Sequence, residues 1–291
     1  MSLDFPVLLL HKILEAYEQQ LPVIFGLACL FAVLTIFKSQ ASDPNKVWWR
    51  NRGLATDISY ALIHGIVGPY FKLPALVLVY VVLSHTVMRP EDVADFFKNG
   101  GGPLSTLPFW AQVVVQLVLA DFLLYWIHRI FHGNTMWRYH AIHHSSEEVD
   151  WTSSYRFHPI NLIMQPALVT IIMLTLGISP AVMAFLVPFE VLTAAWVHAN
   201  LNWTFGPLKY VIATPVFHRW HHTLPDEGGN SNFAPTFAFW DWIFGTFYMP
   251  EGKLPQTFGC DDHLFPEGYF QQLLYPFKPK ESGITAIEPA E

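Results

Sequence analysis

The chain has 291 residues, of which 52% are hydrophobic, 16% aromatic and only 13% charged, and its formal net charge is −7. This balance excludes a disordered chain and a coiled coil and argues against an ordinary soluble domain, while the negative charge argues against nucleic-acid binding. The two cysteines, Cys29 and Cys260, cannot form a framework of bridges, whereas the fourteen histidines almost equal the sixteen lysines and arginines.

Long apolar runs predict an all-α, polytopic membrane bundle with four to five membrane segments. Leu21–Phe37 and Leu107–Ile127 are about 17 and 21 residues long, enough to cross a hydrocarbon core of roughly 30 Å. Leu54–Val87 is apolar but interrupted by polar residues, glycine and prolines. Ile160–Leu176 and Pro180–Val197 flank a turn signal. This last pair predicts a helical hairpin that enters the bilayer and returns to the same side.

The distribution of basic residues predicts the orientation of these segments. The loop Lys38–Gly53 contains four basic residues and one acid, which is typical of a cytosolic loop. One net crossing by Leu54–Val87 would place His128 in the cytosol, whereas two crossings would place it outside; we favour one. Because the N-terminus lacks a cleavable signal pattern, Leu21–Phe37 is predicted to be a retained anchor.

Ten of the fourteen histidines lie between His128 and His222, and eight of them form three groups at helical spacing. Residues i, i+3 and i+4 share one face of a helix, so their imidazoles can converge on a metal. Eight imidazoles exceed what one ion can hold, which indicates two ions. The groups are His128 and His132; His140, His143 and His144; and His218, His221 and His222.

The ligand type narrows the choice of metal. Imidazole suits iron, zinc, copper and nickel, but structural zinc sites use thiolates, so redox iron or another dinuclear metal fits better. A lone histidine is either a ligand or a hydrogen-bonded core residue; we favour the first for His198 and the second for His158. Asp121, two helical turns before His128, could accept a ligand's second N–H or seal a polar crevice.

These motifs resemble the sterol desaturase/fatty acid hydroxylase family of integral-membrane di-iron oxygenases. The resemblance covers residues 121–248 and agrees in order, spacing and flanking residues. The motifs are Asp121-x3-Tyr125-Trp126-x-His128-Arg129-x2-His132, Trp137-Arg138-x-His140-x2-His143-His144-Ser145-Ser146, Arg156-x-His158-Pro159, His198-x-Asn200, Thr214-Pro215-x2-His218-x2-His221-His222, Asn232-Phe233 and Trp240-Asp241-x2-Phe244-Gly245-Thr246.

The resemblance implies a four-transmembrane-type bundle with a cytosolic, histidine-rich helical cap. It divides the chain into membrane anchor segments (1–106), a catalytic domain (107–250) and a cytosolic tail (251–291). It implies O2-dependent hydroxylation or desaturation of a lipid C–H bond at two iron ions. The implied ligands are the eight clustered histidines, which are also the catalytic residues, with His198 as a ninth.

The resemblance also assigns roles around the ligands. It gives Arg156 and His158 a supporting or substrate-side role. Asn202 stands where some relatives have a tenth histidine, and it could act there through a bridging water. Asn232 precedes Phe233 in a stretch where many relatives have a glycine, which suggests a differently shaped pocket.

The implied partners are a lipid substrate from the bilayer, the surrounding membrane lipids and a separate electron donor, either a ferredoxin or a cytochrome b5-like protein. A separate donor is implied because the chain has no dinucleotide fingerprint and too few cysteines for an iron–sulfur cluster. The membrane would be a bacterial inner membrane or the endoplasmic reticulum. The alternatives are a non-redox metal protein for zinc transport or storage, and related chemistry on aldehydes. The sequence does not choose among a sterol or other polycyclic lipid, a fatty acyl or sphingoid chain, an ornithine lipid and an alkylglycerol.

Overall fold

The computed structural model describes residues 4–37, 41–64, 101–133, 135–260 and 265–278, with isolated positions between 66 and 96. Within these ranges the secondary structure is helical, apart from one isolated β-bridge between Thr223 and Phe258. The helices are α1 (Asp4–Ile36), α2 (residues 54–64), α3 (Phe109–Phe131), α4 (Trp137–His144), α5 (Pro159–Leu176), α6 (Pro180–His198), α7 (Pro215–His221), α8 (Phe239–Ile243) and α9 (Tyr269–Leu274).

Four of these helices are long and apolar enough to cross a membrane: α1 from Leu14 onward, α3, α5 and α6. By length and composition these helices make the chain an integral membrane protein. The predicted hairpin is confirmed, since α5 and α6 are joined at Gly177. Gly177 has φ of 97°, a left-handed conformation that glycine adopts without a Cβ clash.

The first apolar run, predicted over Leu21–Phe37, forms part of a longer helix, because α1 begins at Asp4 and is apolar enough to span a membrane from Leu14 onward. The additional turns continue the helix with polar residues at helical spacing, where Glu15 pairs with His11 and with Lys12. Charge of this kind marks the limit of an apolar run but does not end a helix. The Leu54–Val87 segment lies mostly outside the described residues, and only its first part is seen as α2.

The helix α3 is the centre of the membrane bundle because it packs against both arms of the hairpin. The two arms make few contacts with each other, and each contains a proline, Pro166 and Pro188, which removes a backbone hydrogen bond. The buried side chains at this junction are Val113 and Ala120 on α3, Val169 and Met173 on α5, and Val182 and Leu186 on α6.

The short helices α4, α7, α8 and α9 form a cap at one end of the bundle, where α3 and α6 end. Residues 41–53 lie at this end too, since Ser42 Oγ donates to the carbonyl of Leu201 and Lys46 pairs with Glu148. At the other end, the amide of Leu104 donates to the carbonyl of Leu176. The start of α2 and the start of α3 therefore lie at opposite ends of the bundle, as one net crossing requires.

Candidate metal centre

Nine histidines meet inside the cap in two separate sets, and within each set the candidate ligand atoms lie within 4.8 Å of one another. We call these sets the five-histidine group and the four-histidine group. The five-histidine group is His128, His132, His140, His144 and His221, and the four-histidine group is His143, His198, His218 and His222. These are the eight clustered histidines together with His198.

The two groups are interleaved along the chain. On α4, His140 and His144 are one turn apart and join the five-histidine group, whereas His143 points to the four-histidine group. On and just after α7 the assignment is reversed, because His218 and His222 share the four-histidine group while His221 joins the other. Each His-x2-His-His motif therefore connects both groups, which fixes their relative position.

Four ligand rings are oriented by hydrogen bonds to backbone carbonyls. In each case Nδ1 donates to the oxygen, so the neutral ring has a lone pair at Nε2. Such outward hydrogen bonds hold a metal-binding imidazole in position. The pairs are His128 with Phe233 (2.6 Å), His143 with Arg156 (3.1 Å), His198 with Ala194 (2.7 Å) and His221 with Ser231 (2.6 Å).

The Nε2 atoms of the four-histidine group approach one another closely, and between His143 and His198 there is no proton to share. Nε2 of His143 lies 3.2 Å from Nε2 of His198, although both rings have their proton on Nδ1. Nε2 of His198 is also 3.1 Å from Nε2 of both His218 and His222. Lone pairs at this distance repel unless a cation lies between them. Neighbouring ligands of an ion with metal–nitrogen bonds of about 2.1 Å are themselves about 3 Å apart, so these residues fit a metal.

Burial favours the neutral form that a metal requires. It lowers the pKa of the cap histidines well below the ordinary value, and the neighbouring imidazoles lower it further. Nε2 of His144 and of His221 and both ring nitrogens of His132 are buried without a hydrogen-bond partner, which would be costly in a site that holds no ion. The cap histidines with this lowered pKa are His132, His140, His143, His144, His218, His221 and His222.

Asp121 and Arg156 both support the metal centre, but Asp121 holds a loop whereas Arg156 contacts a ligand ring. Asp121 Oδ2 accepts from the amide of Phe237, so Asp121 holds the loop over the site and no histidine donates to it among the described contacts. Arg156 supports a ligand through its carbonyl, which accepts from His143. Its guanidinium is buried and pairs with Asp57 on α2.

The other three candidates lie outside both histidine groups. His158 caps α5, where its Nδ1 accepts from the amide of Ile160 at 3.1 Å. Asn202 is exposed. Asn232 has φ of 58°, and its side chain donates to the carbonyls of Phe217 and Tyr248, so it shapes the loop whose neighbouring carbonyls orient two ligands.

Two supporting residues were missed by the sequence reasoning. The fully buried amide of Asn161 lies 3.2 Å from Nδ1 of His140; an amide in the first turn of a mostly apolar helix was the available signal. Asp241, which is fully buried, accepts from the amides of Phe233 and Ala234 and from the hydroxyl of Thr246. Burial raises the pKa of Asp241 to about 6, against these hydrogen bonds.

Asp241 holds the segment whose carbonyl orients His128, so its removal is expected to loosen the metal centre. In Asp241→Ala two buried amides lose their acceptor, each at a cost of about 1–3 kcal/mol, and the Phe233 carbonyl is released. We expect a lower thermal midpoint and metal affinity reduced about 10- to 100-fold, measured by chelator competition on purified protein. The control is Asp226→Asn in an exposed turn; equal metal affinity in both variants would contradict this role.

A cavity of about 240 Å³ lies beneath the histidines, between α3 and the two arms of the hairpin. Histidines of both groups reach its surface: His128 and His140 from one, and His143, His198 and His218 from the other. Its walls are mostly apolar and include Leu124, Phe157 and Val197. An apolar cavity with polar groups converging at one end is a typical binding site for a small molecule or a lipid chain.

Comparison with known proteins agrees with this arrangement. The fatty acid hydroxylase family model matches residues 113–246. An ornithine lipid hydroxylase of Rhizobium tropici is 33% identical over 279 residues, which cover 92% of this chain and 80% of that protein. The human alkylglycerol monooxygenase is 35% identical over 135 residues, covering 46% of this chain and 30% of that protein. A methylsterol monooxygenase of Arabidopsis thaliana is 28% identical over 180 residues, covering 57% and 62%. No solved structure matches the chain.

Proposed function

Because the chain belongs to the fatty acid hydroxylase family, within the sterol desaturase superfamily, we propose that it is a membrane oxidoreductase that uses O2 to hydroxylate or desaturate a lipid C–H bond. The observation that carries the proposal is the position of nine histidines, in two groups, directly above an apolar cavity between membrane-spanning helices. Histidines from both groups line the cavity, so a lipid chain inside it would meet the metal centre.

Two iron ions are the cofactors that we propose, one in each histidine group. Nine neutral imidazoles suit iron, and the split into five and four ligands gives each group enough donors for its own ion. When bound, iron supplies the redox chemistry with O2 that amino-acid side chains lack. The two His-x2-His-His motifs would hold the ions at a fixed separation, because each motif contributes to both groups.

The chain's own residues orient the ligand rings, position the lipid substrate and keep water out of the site. The carbonyls of Phe233, Arg156 and Ala194 fix three ligand rings. The apolar walls of the cavity bind the hydrocarbon part of the substrate and keep water from the reacting carbon. A positioned C–H bond is oxidised in preference to others on the same chain because the cavity, not intrinsic reactivity, selects it.

The cap faces the cytosol in this proposal. Residues 41–53 lie beside the cap and contain Lys46, Arg50 and Arg52 against a single acid, Asp43, and basic loops of this kind remain on the cytosolic side. An external one-electron donor, a ferredoxin or a cytochrome b5-like protein, would dock on this face. The membrane would be a bacterial inner membrane or the endoplasmic reticulum.

The alternative of zinc transport or storage has less support. Transport requires ligands along a path through the midplane of the bilayer, whereas the nine histidines meet at one end of the bundle. The three relatives compared above are named as a hydroxylase and two monooxygenases, which favours oxidation.

Comparative lipid analysis of cells with and without the gene tests the proposed function. We expect one lipid class to gain an oxygen atom or lose two hydrogen atoms only in cells that express the protein. Purified protein in lipid should consume O2 when a ferredoxin or cytochrome b5 reduction system is added. An unchanged lipid profile, together with bound zinc and no O2 consumption under either donor, would contradict the proposal.

A further inference from the structure

Two segments of the cap have exposed apolar side chains and almost no charge. We call residues 203–211 and 235–247 together the collar. Its charged residues are Lys209 and Asp241, and Asp241 is fully buried. The loop 41–53, on the same cap, contains both acidic and basic residues. Exposed apolar surface of this extent marks an interaction site. The exposed apolar side chains of the collar are Phe205, Leu208, Tyr210, Val211, Trp242 and Ile243.

The second segment of the collar, residues 235–247, lies against the membrane-spanning helix α3. The ring of Trp240 packs on Phe122 of α3, with 4.9 Å between the ring centroids. The ring of Phe244 packs on Trp126, one turn further along α3, at 5.0 Å. Trp242, between these two anchors in the sequence, is 65% exposed. The helix α8 is therefore fixed to the outer side of α3 and leaves an indole on its own outer side.

The length of α3 gives the depth of this contact in the bilayer. The helix begins with the exposed rings of Phe109 and Trp110, and such aromatic residues mark a membrane–water interface. From there, a hydrocarbon core of roughly 30 Å extends over about 20 helical residues, to the level of His128. Phe122 and Trp126 then lie about 3–9 Å inside the cap-side boundary. A tilted helix needs more residues for the same thickness, which would place both rings deeper.

The first segment, residues 203–211, continues the same layer around the bundle. Phe205 stacks on Trp196 in the last turn of α6, with 5.9 Å between the ring centroids. Tyr210 packs on Phe247 of the second segment at 5.0 Å. Lys209 Nζ lies over the Tyr210 ring, and a lysine beside aromatic rings is typical of a helix or loop at the lipid headgroups. The two segments thus form one surface from α3 to α6.

The second segment also has an inner side, which faces the cavity. Pro235 and Thr236 contribute to the lining of the cavity, whereas Trp242 and Ile243 are exposed on the outside. This segment is therefore a wall between the cavity and the surroundings of the protein. A wall that is apolar on its outer side is stabilised by hydrocarbon and not by water.

We propose that the collar lies in the bilayer, with its apolar side chains among the acyl chains just below the headgroups, so that the cap is partly immersed in the cap-side leaflet. Lipid is the occupant because the collar is continuous with the exposed outer face of α3, where Trp126 and Ile130 lie. The depth of the α8 contact on α3 points to the same occupant. Such interfacial elements place their apolar face about 5–10 Å into the boundary. The inference does not depend on the reaction proposed above.

Spin labels on both segments of the collar test this inference. In a background of Cys29→Ser and Cys260→Ser, a nitroxide is attached through Leu208→Cys or Ile243→Cys, and the full-length protein with its bound metal is placed in phosphatidylcholine vesicles. Power-saturation EPR compares collisions with O2, which concentrates among acyl chains, and with a neutral nickel chelate, which stays in water. Both labels should collide more with O2 than with the chelate, at a depth of about 5–10 Å below the phosphates.

The control label is attached through Glu147→Cys, because Glu147 is exposed on the cap beside Glu148, which pairs with Lys46. This label should collide more with the nickel chelate. A label at Val118→Cys, on the exposed side of α3, gives the reference for a lipid-facing position. Labelled proteins should keep the wild-type thermal midpoint and metal content; if one collar variant does not, the label on the other segment decides.

Three results would overturn the inference. A collar label that collides with the nickel chelate as often as the label at residue 147 would show that the collar faces water. A collar label that neither reagent reaches would show that protein covers this surface. Dipolar coupling between collar labels of different chains would identify that protein as a second copy.

Discussion

Substitution of His143 by alanine is expected to remove the ion that we propose for the four-histidine group and to abolish product formation. His143 belongs to the smaller, four-histidine group, so its loss leaves three ligands for that ion while the five-histidine group stays complete. Loss of an outer hydrogen bond to a ligand already lowers affinity or activity 10- to 100-fold, and loss of the ligand itself should exceed about 100-fold. Elemental analysis should give about one ion per chain instead of two.

The matched control is His11→Ala, because His11 is exposed on α1 and belongs to neither group. It should retain both ions and full activity. A His143→Ala protein with two bound ions and activity within tenfold of the wild type would contradict the division of ligands. His221→Ala provides the complementary measurement, since the five-histidine group would keep four ligands and should retain more metal than the depleted four-histidine group.

Replacement of Arg156 by methionine is expected to have the largest effect on stability. The Arg156 and Asp57 side chains are 4% and 1% exposed, so the substitution leaves a buried carboxylate without its counter-ion. Breaking a buried pair in this way costs about 3–5 kcal/mol. The same substitution should weaken metal binding, because the guanidinium anchors the segment whose residue-156 carbonyl accepts from His143 Nδ1 at 3.1 Å, and without that anchor the carbonyl is free to shift. The thermal midpoint in detergent and the metal content measure the two effects.

A double substitution distinguishes an ion pair from simple loss of volume. In Asp57→Leu combined with Arg156→Met, both charges are absent and much of the stability should return, since apolar replacement of a whole buried pair is often tolerated. Gly53 belongs to the same contact: its carbonyl accepts from Arg156 Nη2 at 3.0 Å, and a Cβ atom there would overlap the guanidinium. A single Arg156→Met variant as stable as the wild type would contradict this role.

The sequence predicted the parts of the fold that local patterns determine. The hairpin follows from two apolar runs around Gly177, and the helical spacing of His140, His143 and His144 follows from the chain itself. The helix α1 extends beyond the apolar run that starts at Leu21, because the mixed polar and apolar residues before Leu21 continue it back to Asp4. Membrane hydropathy reports where a helix is apolar, and it does not report where the helix begins.

The division of nine histidines into five and four could not be predicted, because it depends on how α3, α4, α6 and α7 approach one another. The spacing of a single motif does not say that His143 turns away from His140 and His144. The acceptors of the ligand N–H groups were also missed, since they are backbone carbonyls of Phe233, Ala194 and Ser231 rather than side chains. For Asp121 the sequence left two roles open, as acceptor of a ligand N–H or as seal of a polar crevice; in the structure its carboxylate accepts from the amide of Phe237.

Two polar residues stand out in the apolar sequence of the hairpin, but the sequence does not show that they share one cavity. Glu190 is a single acid in an apolar run of helix α6, and Gln165 is an amide in the preceding arm. In the structure Glu190 is exposed and Gln165 is half-buried, and both contribute to the lining of the cavity. Their position on opposite arms, facing one cavity, requires the pairing of both arms with α3.

An anomalous difference map collected at the iron absorption edge tests the central claim most directly. Crystals of the purified protein should give two iron peaks per chain. One peak should be surrounded by His128, His132, His140, His144 and His221, and the other by His143, His198, His218 and His222. A single peak, peaks that appear at the zinc edge instead, or two peaks that do not divide the nine histidines in this way would contradict the account.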